Sequence, residues 1–573
     1  MGRAEKGGGG PEVDREWLRR NIRCQDACPL HTDIPEYIAL ITAGRYREAY
    51  ALIRETNPFP SVCGRVCHRP CEVACLRGEV DEPVAINALK RFVADRVAGG
   101  EGIPTRIKRR KRERVAVIGA GPAGLTAAHD LARQGYLVTV FEAQPVAGGM
   151  LALGIPDFRL PKEEVAMEID LIRKLGVDIR CNLSIGRDLT LTDLLDSAYE
   201  AAFVATGAHR TLALGLPGQE AAGLLEAIGF LRRVNLGWRE RPGEKVAVIG
   251  EGYTAFDAAR TALRLGSQVT LVCRCKRAEL TLSRWEARAA EEEGVQIHYF
   301  TRPTQILQEG GRVRGLECVR LGYQETLEGQ VPVPLENSRF LLEADLLLNA
   351  VGEEPELTFL SHERGLKVCD STLLVDEETL RSSRMRIYAG GDVVTGSRTV
   401  VEAIEAGHRA AAAIGRYLAG KREGSLQKEK TELEELVSLR VDPHYDATRR
   451  QKMPRRSGES RRNSFDEVEL GYDEGQALRE TKRCLQCNVK LGFNMEECIV
   501  CGKCAEVCPY NCIRMVDHQG REFEPRVHRE PWLIGRGMLK DDSLCIRCGL
   551  CQKACPVGEG MTLHRITWRS RLE

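Results

Sequence analysis

The chain has 573 residues, 43% of them hydrophobic and 29% charged, with a net charge of +1. That length implies several domains, because single cores stop growing near about 250–300 residues, and the near-neutral balance gives no global argument for nucleic acid. No apolar run approaches the roughly 18 uncharged residues of a membrane helix, and the Gly-rich start Met1–Gly10 has no apolar signal-peptide core. A cytoplasmic protein is expected, in which most of the 22 cysteines are metal ligands and not disulfides.

Residues 1–20 read as a flexible lead and a helix start. Residues 21–113 hold Cys24, Cys28, Cys63, Cys67, Cys71 and Cys75. They lie among short helical patterns such as Ile34–Ile41 and Tyr46–Ile53, with turn chemistry at Asn57-Pro58-Phe59-Pro60. A basic run at 106–114 admits a nucleic-acid or localisation patch, but a solvated linker face before a buried strand is the commoner origin.

From residue 115 the texture becomes α/β. The apolar run Val115–Ile118 is followed by Gly119-x-Gly121-x-x-Gly124, a helix, Leu137–Phe141 and Glu142. The glycines allow a tight turn, close approach of backbone to a pyrophosphate and close helix–strand packing. The helix N-terminus attracts phosphate charge. Glu142 lies 23 residues beyond Gly119, the distance of a carboxylate that grips a ribose 2′-hydroxyl. The plan recurs at Val246–Ile249 with Gly250-x-Gly252, Thr254 and Ala255, so two nucleotide-binding units are expected. At the second strand tip stand Arg274, Lys276 and Arg277 with no acid. Cations there suit the 2′-phosphate of NADP, the alternative being a solvated basic loop. Residues 421–480 are highly charged without aliphatic periodicity and read as a surface linker.

The C-terminal segment carries Cys498, Cys501, Cys504 and Cys508-Pro509, then Cys545, Cys548, Cys551 and Cys555-Pro556. Each run is C-x-x-C-x-x-C-x-x-x-C-P, the ligand run of bacterial ferredoxins, in which the fourth cysteine serves the other cluster. The 36 residues between Cys508 and Cys545 imply an inserted loop.

Five segments resemble the small-subunit type of glutamate synthase: VAVIGAGPAGLTAA, GGMLALGIPDFRLPKE, VATGAH, VAVIGEGYTAFDAARTALRLG and YAGGDVVTGSRTVVEAIEAGHRAAAAI. With NPFPSVCGRVCHRPCEVAC the likeness covers residues 24–420. It implies an α/β flavoprotein of two dinucleotide-binding domains, with an N-terminal α-helical iron–sulfur domain and a C-terminal α+β ferredoxin-like domain. The expected divisions are 114–245 and 351–420 for FAD, 246–350 for NAD(P)H, and 481–573 for the ferredoxin-like part. Carried over from the family, Gly391 and Asp392 would bind the FAD pyrophosphate and ribityl region, and Gly149, Met150, Arg159 and Thr399 would lie near the flavin. Cys275 interrupts the arginine pair usual in the family, which leaves NADP(H) or NAD(H) open. No C-x-x-C follows either fingerprint, so a flavin-linked dithiol is not expected.

The family also carries an R-C-L-x-C element before the position of Cys24. Here it stands at the other end, as Arg483-Cys484-Leu485-Gln486-Cys487. The expectation is that the chain end folds back and Cys484 and Cys487 join Cys24 and Cys75 in one [4Fe–4S] cluster. The alternative is a separate zinc knuckle. A second cluster would use Cys28, Cys67, Cys71 and a fourth ligand. The family's Glu or Gln position matches Lys90 here, and Cys63 is the substitute. With the ferredoxin runs this makes four clusters. Cys181, Cys273, Cys275, Cys318, Cys369 and Cys512 are read as small buried hydrophobes.

A nicotinamide delivers two electrons as hydride, a cluster accepts one, and a flavin deals with both. The expected function is an NAD(P)H-dependent flavin and iron–sulfur oxidoreductase subunit, working to or from ferredoxin or a partner subunit. The alternatives are a glutamate-synthase-type electron-input subunit and a non-catalytic wiring subunit of a larger complex. Hydride transfer demands no general base, so no catalytic residue is named.

Overall fold

The computed structural model describes residues 15–97, 110–280, 284–326, 329–360, 363–420, 427–436, 447–493, 497–516, 537–542, 549–557 and 561–572, with single positions at 522, 544, 545 and 547. The lead 1–14, most of the basic run and Cys548 lie outside them. Among the described residues no helix is long and apolar enough to cross a membrane.

The N-terminal part is helical, with Ile34–Thr42 and Tyr46–Arg54 where the periodicity places them. Asp33 caps the first of these by accepting from Glu36 N, and Pro35 fits its first turn. Its buried face, Ile34, Tyr37, Ile38 and Ile41, packs on the helix Ile86–Arg96 and the thiol-bearing segments between.

Two five-stranded parallel sheets follow, alike in four strands and differing in the fifth, which in chain order is the last strand of the first sheet and the first strand of the second. The first runs Ile387–Ala389, Ala201–Val204, Arg114–Ile118, Leu137–Phe141, Asp178–Arg180. The second runs Leu224–Glu226, Leu346–Asn349, Lys245–Ile249, Gln268–Val272, Gln296–His298. The chain leaves the first sheet after Val204 and re-enters at Ile387, so the second unit is an insertion. It begins before the expected boundary at 246, because Leu224–Glu226 pairs with Leu347–Asn349. That strand is three residues long and mostly exposed, too short to show a pattern.

Of the segment expected as a surface linker, 427–436 and 447–480 are described and both are held against the rest of the chain. Gln427–Leu436 pairs antiparallel with the last strand, Met561–Leu572. Residues 447–481 lie across the inserted unit and the N-terminal domain. Glu467 bonds both Arg65 and Arg91 at 2.9 Å, Arg461 bonds Glu292 at 3.2 Å, and Arg264 donates to Ser464 O at 3.0 Å. Ion pairs hold this strap, together with isolated apolar anchors, Phe465, Val468, Tyr472 and Ala477, that form no continuous stripe. In the ferredoxin-like part, Val489–Phe493 pairs with Met561–Arg565. The insertion between the cysteine runs leaves from Ile513–Val516 and returns at Gly537–Lys540, which pair with each other.

One buried junction couples the helical domain to the first sheet. His408 Nδ1 lies 2.6 Å from Asp130 Oδ2, and its Nε2 2.8 Å from Thr56 O. Burial opposes the imidazolium, but Asp130 outweighs it and raises the His408 pKa above 6.5. A raised folded-state pKa stabilises fully below the unfolded value and loses that contribution as pH climbs through the folded one. His408→Gln is therefore expected to cost about 1.5–3 kcal/mol in mild acid and less at alkaline pH. Thermal melts of both proteins across that range check it, and a gap independent of pH refutes the linkage.

Candidate functional site

The first glycine turn opens a cleft of about 550 Å³, within the ~300–1,000 Å³ of ligand pockets. Gly119 has φ +103, and a Cβ there would stand 2.4 Å from Ala205 O. The chain can pass between its two neighbouring strands only as glycine. A Cβ on Gly124 would meet Gly119 O at 2.0 Å, which is the tight helix–strand contact the spacing implied. Gly121 caps the helix Pro122–Arg133 and lines the cleft with Gly149 and Met150.

Glu142 also lines the cleft, where its carboxylate accepts from Ala120 N at 2.7 Å and Gln144 N at 2.8 Å. Burial raises its pKa despite those donors. From the re-entering chain come Gly391, Asp392 and Thr399. Asp392 is pushed up to about 7 by burial while accepting from Arg398 N. Thr399 caps the helix Val400–Leu418 reciprocally with Glu402. Two buried polar atoms on the cleft wall, Thr206 Oγ1 and Arg232 Nε, have no hydrogen-bond partner. A cleft with a glycine turn, a helix N-terminus and orphaned polar groups fits the dinucleotide FAD. Arg159 does not line this cleft. It pairs with Asp257 at 2.6 Å and Glu286 at 3.1 Å, tying the two nucleotide units together.

The second turn repeats the geometry. A Cβ on Gly250 would stand 2.4 Å from Ala350 O, and Gly252 has open space before it. Thr254 donates to the buried Glu353. Arg274 and Arg277 are exposed, with Glu251 and Glu291 as partners. Lys276 lies over the Tyr323 and Phe300 rings, 4.0 and 4.9 Å from their centroids. Cys273 and Cys275, read as packing residues, have sulfurs 3.1 Å apart.

The thiols gather in four groups. Cys24, Cys75, Cys484 and Cys487 line one cavity with Ile34, Leu76 and Leu485. The fold-back expected from counting ligands brings these four together. Burial first, then the neighbouring Cys75, Cys487 and Cys484, push the Cys24 thiol far up. Crowded thiolates of this kind need a cation among them, and an iron–sulfur core supplies one. Cys28, Cys67 and Cys71 form the second group around the buried Lys90, whose charge also interacts with Cys63. Cys63 is fully buried, with its sulfur 3.8 Å from Asn57 Oδ1.

In the ferredoxin-like part, Cys498, Cys501, Cys504 and Cys555 line one cavity. Cys508, Cys545 and Cys551 line another. The fourth cysteine of each run stands with the other run, as the motif demands. Cys512 lines the second of these cavities, 3.3 Å from Cys508 Sγ, and is part of the buried core there.

Several residues that sequence reasoning passed over hold these groups in place. Arg547 is buried beside Cys545, donates to Cys545 O at 2.6 Å and to Val489 O at 3.2 Å, and bonds Asn21. Its charge reaches Cys487 of the neighbouring group. Tyr510 packs with Leu76, Leu485 and Cys487 across the same junction. Arg77 and Arg483 are buried at the fold-back. A buried arginine leaves no signature in hydrophobic periodicity, and only its position beside a cysteine hinted at these.

Comparison with known proteins agrees with this architecture. Residues 113–407 match the family described as pyridine nucleotide-disulphide oxidoreductase. Residues 12–101 match domain II of dihydropyrimidine dehydrogenase, a 4Fe-4S cluster domain, and residues 497–559 a 4Fe-4S dicluster domain. The chain is 41% identical to the NADP(+)-dependent formate dehydrogenase subunit beta of Moorella thermoacetica, over 81% of its own length and 70% of that protein. It is 37% identical to an NADPH-Fe(3+) oxidoreductase subunit beta of Geobacter sulfurreducens, covering 81% and 75%. With the glutamate synthase [NADPH] small chain of Escherichia coli the identity is 33%, covering 71% and 91%. The chain belongs to the pyridine nucleotide-disulphide oxidoreductase family, in the glutamate-synthase-small-chain-like branch of FAD- and NADPH-dependent iron–sulfur oxidoreductases.

Proposed function

We propose that this protein is the NADPH-handling subunit of a larger redox assembly, exchanging electrons between NADPH and a partner subunit or ferredoxin through one FAD and four [4Fe–4S] clusters. The observation that carries the reading is the continuity of the thiol groups. Cys28, Cys67 and Cys71 share one packed core with Cys24, Cys75 and Cys484 and with Ala123 and Leu151 of the cleft wall. Tyr510 packs with Cys487 and also lines the cavity of Cys508, Cys545 and Cys551. One succession therefore runs from the first cleft to the chain's C-terminal part. FAD bound there supplies the conversion between hydride and single electrons.

The chain's own residues do the rest. The first cleft would hold FAD through Gly119, Gly121, Glu142, Gly391 and Asp392. The second would hold NADPH through Gly250, Gly252 and Thr254, with Arg274, Lys276 and Arg277 for the 2′-phosphate. Apolar side chains such as Ile34, Ile38, Leu76 and Leu485 wall the group of Cys24, Cys75, Cys484 and Cys487 and limit water at those ligands. Two of the relatives are named as subunits beta, which supports a partner subunit here.

Anaerobic stopped-flow mixing tests the reading. NADPH is expected to bleach the flavin within the turnover time and NADH to do so poorly. Arg274→Ala with Arg277→Ala is expected to raise the NADPH concentration needed by about tenfold or more, roughly 1.4 kcal/mol, with little change for NADH. No bleaching by either nucleotide would leave the non-catalytic wiring role.

A further inference from the structure

At the tip of the second nucleotide unit, three ligand-bearing side chains converge outside every thiol group described so far. Glu251 stands between the two glycines of the turn, and Cys273 and Cys275 follow the strand Gln268–Val272. One ligand atom from each lies within 4.8 Å of the others. The two sulfurs are 3.1 Å apart. The backbone around them is pinned: Cys273 N donates to His298 O, while Thr301 N and Phe300 N donate to Cys273 O and Cys275 O, all at 2.9–3.1 Å. The thiols are thus held in place by a neighbouring strand end and do not ride on a loose loop.

We propose that Glu251, Cys273 and Cys275 bind one thiophilic divalent cation of the Zn²⁺ class. With Zn–S near 2.3 Å and Zn–O near 2.0–2.2 Å, a tetrahedral site has ligand–ligand edges of about 3.5–3.8 Å. The sulfurs stand 3.1 Å apart and the carboxylate oxygen within 4.8 Å of both, close enough for side-chain rotation to reach those edges, with water as the fourth ligand. Two thiolates and a carboxylate match a borderline-soft cation and select against Mg²⁺ or Ca²⁺, which take oxygen shells.

The charge balances. Two S–H bonds lose their protons to solvent, two S–metal bonds form, and the dication offsets the two new thiolate charges. The buried Cys273 is therefore left with no uncompensated charge, which burial would penalise. Arg274 lies between the two cysteines, 3.4 Å from Glu251, so the metal and the nucleotide's phosphate address the same loop.

The test uses the cluster-loaded full chain under anaerobic conditions, after EDTA treatment, titrated with Zn²⁺ against a chromophoric chelator. The wild type is expected to take up one Zn²⁺ that Cys273→Ser/Cys275→Ser does not, with iron per chain equal in both. Cys275→Ser alone, at the less buried position, guards against misfolding and is expected to lose the same equivalent. Glu251→Gln is expected to weaken it at least tenfold. X-ray absorption at the zinc edge should show two sulfurs at about 2.3 Å. Equal uptake by the wild type and the serine variants, no uptake by the wild type because the pair stays as free thiols or a disulfide, or a zinc shell without sulfur would each overturn the proposal.

Discussion

Replacing Cys484 and Cys487 with serine is expected to remove about four irons per chain, one cluster's worth, while NADPH still reduces the flavin. The two cysteines lie more than four hundred positions from Cys24 and Cys75, yet all four line one cavity. None of them lines the first cleft, whose walls come from the segments between Ile118 and Ala403. Nucleotide oxidation and one-electron export should therefore separate. Flavin bleaching keeps its rate, and reduction of the C-terminal clusters slows sharply, because Tyr510 packs with Cys487 and also lines the cavity of Cys508, Cys545 and Cys551. Iron analysis with EPR of the dithionite-reduced protein reads the first effect and stopped-flow the second. Unchanged iron in the double variant would mean that a separate zinc site holds these two sulfurs.

The sequence made the chemistry legible where chemistry is local. A dinucleotide turn needs glycine at fixed offsets because specific atoms stand in the way, such as Ala205 O behind Gly119 and Ala350 O behind Gly250. A ferredoxin run needs its fourth cysteine on the other cluster, and Cys555 stands with Cys498, Cys501 and Cys504. The family resemblance pointed to the fold-back, because its R-C-L-x-C element, absent before Cys24, stands at 483–487, and Cys484 and Cys487 line one cavity with Cys24 and Cys75.

What stayed hidden was held by charge across domains. The strap at 447–481 has no hydrophobic period, since Glu467 and Glu469 meet Arg65, Arg91 and Arg69 from another domain. Such pairs cannot be assigned from one strand of sequence. Arg159, which family resemblance places near the flavin, pairs with Asp257 and Glu286 of the other nucleotide unit. The Cys273–Cys275 pair looked like two separate core residues. Their closeness depends on the bend after Val272, which the pattern of residues does not disclose.

Arg483→Met is expected to destabilise the fold-back by about 3–5 kcal/mol, the cost of leaving buried partners of an ion pair uncompensated. Arg483 is fully buried, and its five N–H groups all have acceptors. Nη2 donates to Asp81 Oδ1 at 2.8 Å and Glu82 O at 2.6 Å. Nη1 donates to Pro83 O at 3.0 Å and Glu480 Oε1 at 2.9 Å. Nε donates to Thr448 O at 3.1 Å. One guanidinium thus joins the N-terminal segment 81–83, the strap and the helix end that presents Cys484. Lysine has three donors and one point charge, so Arg483→Lys should recover only part of the loss. At about 1.4 kcal/mol per tenfold, the open fold-back becomes roughly 140 to 4,000 times more populated. Chelator challenge reads that population as faster iron loss, confined to about four irons per chain. If the loss reflects uncompensated carboxylates, adding Asp81→Asn and Glu480→Gln to Arg483→Met should restore much of the stability. If it reflects packing alone, the triple variant should be no better than the single. Arg483→Met leaves all four ligands in place, so slow iron release from it would mean that the clasp is built by the cluster and not by the chain.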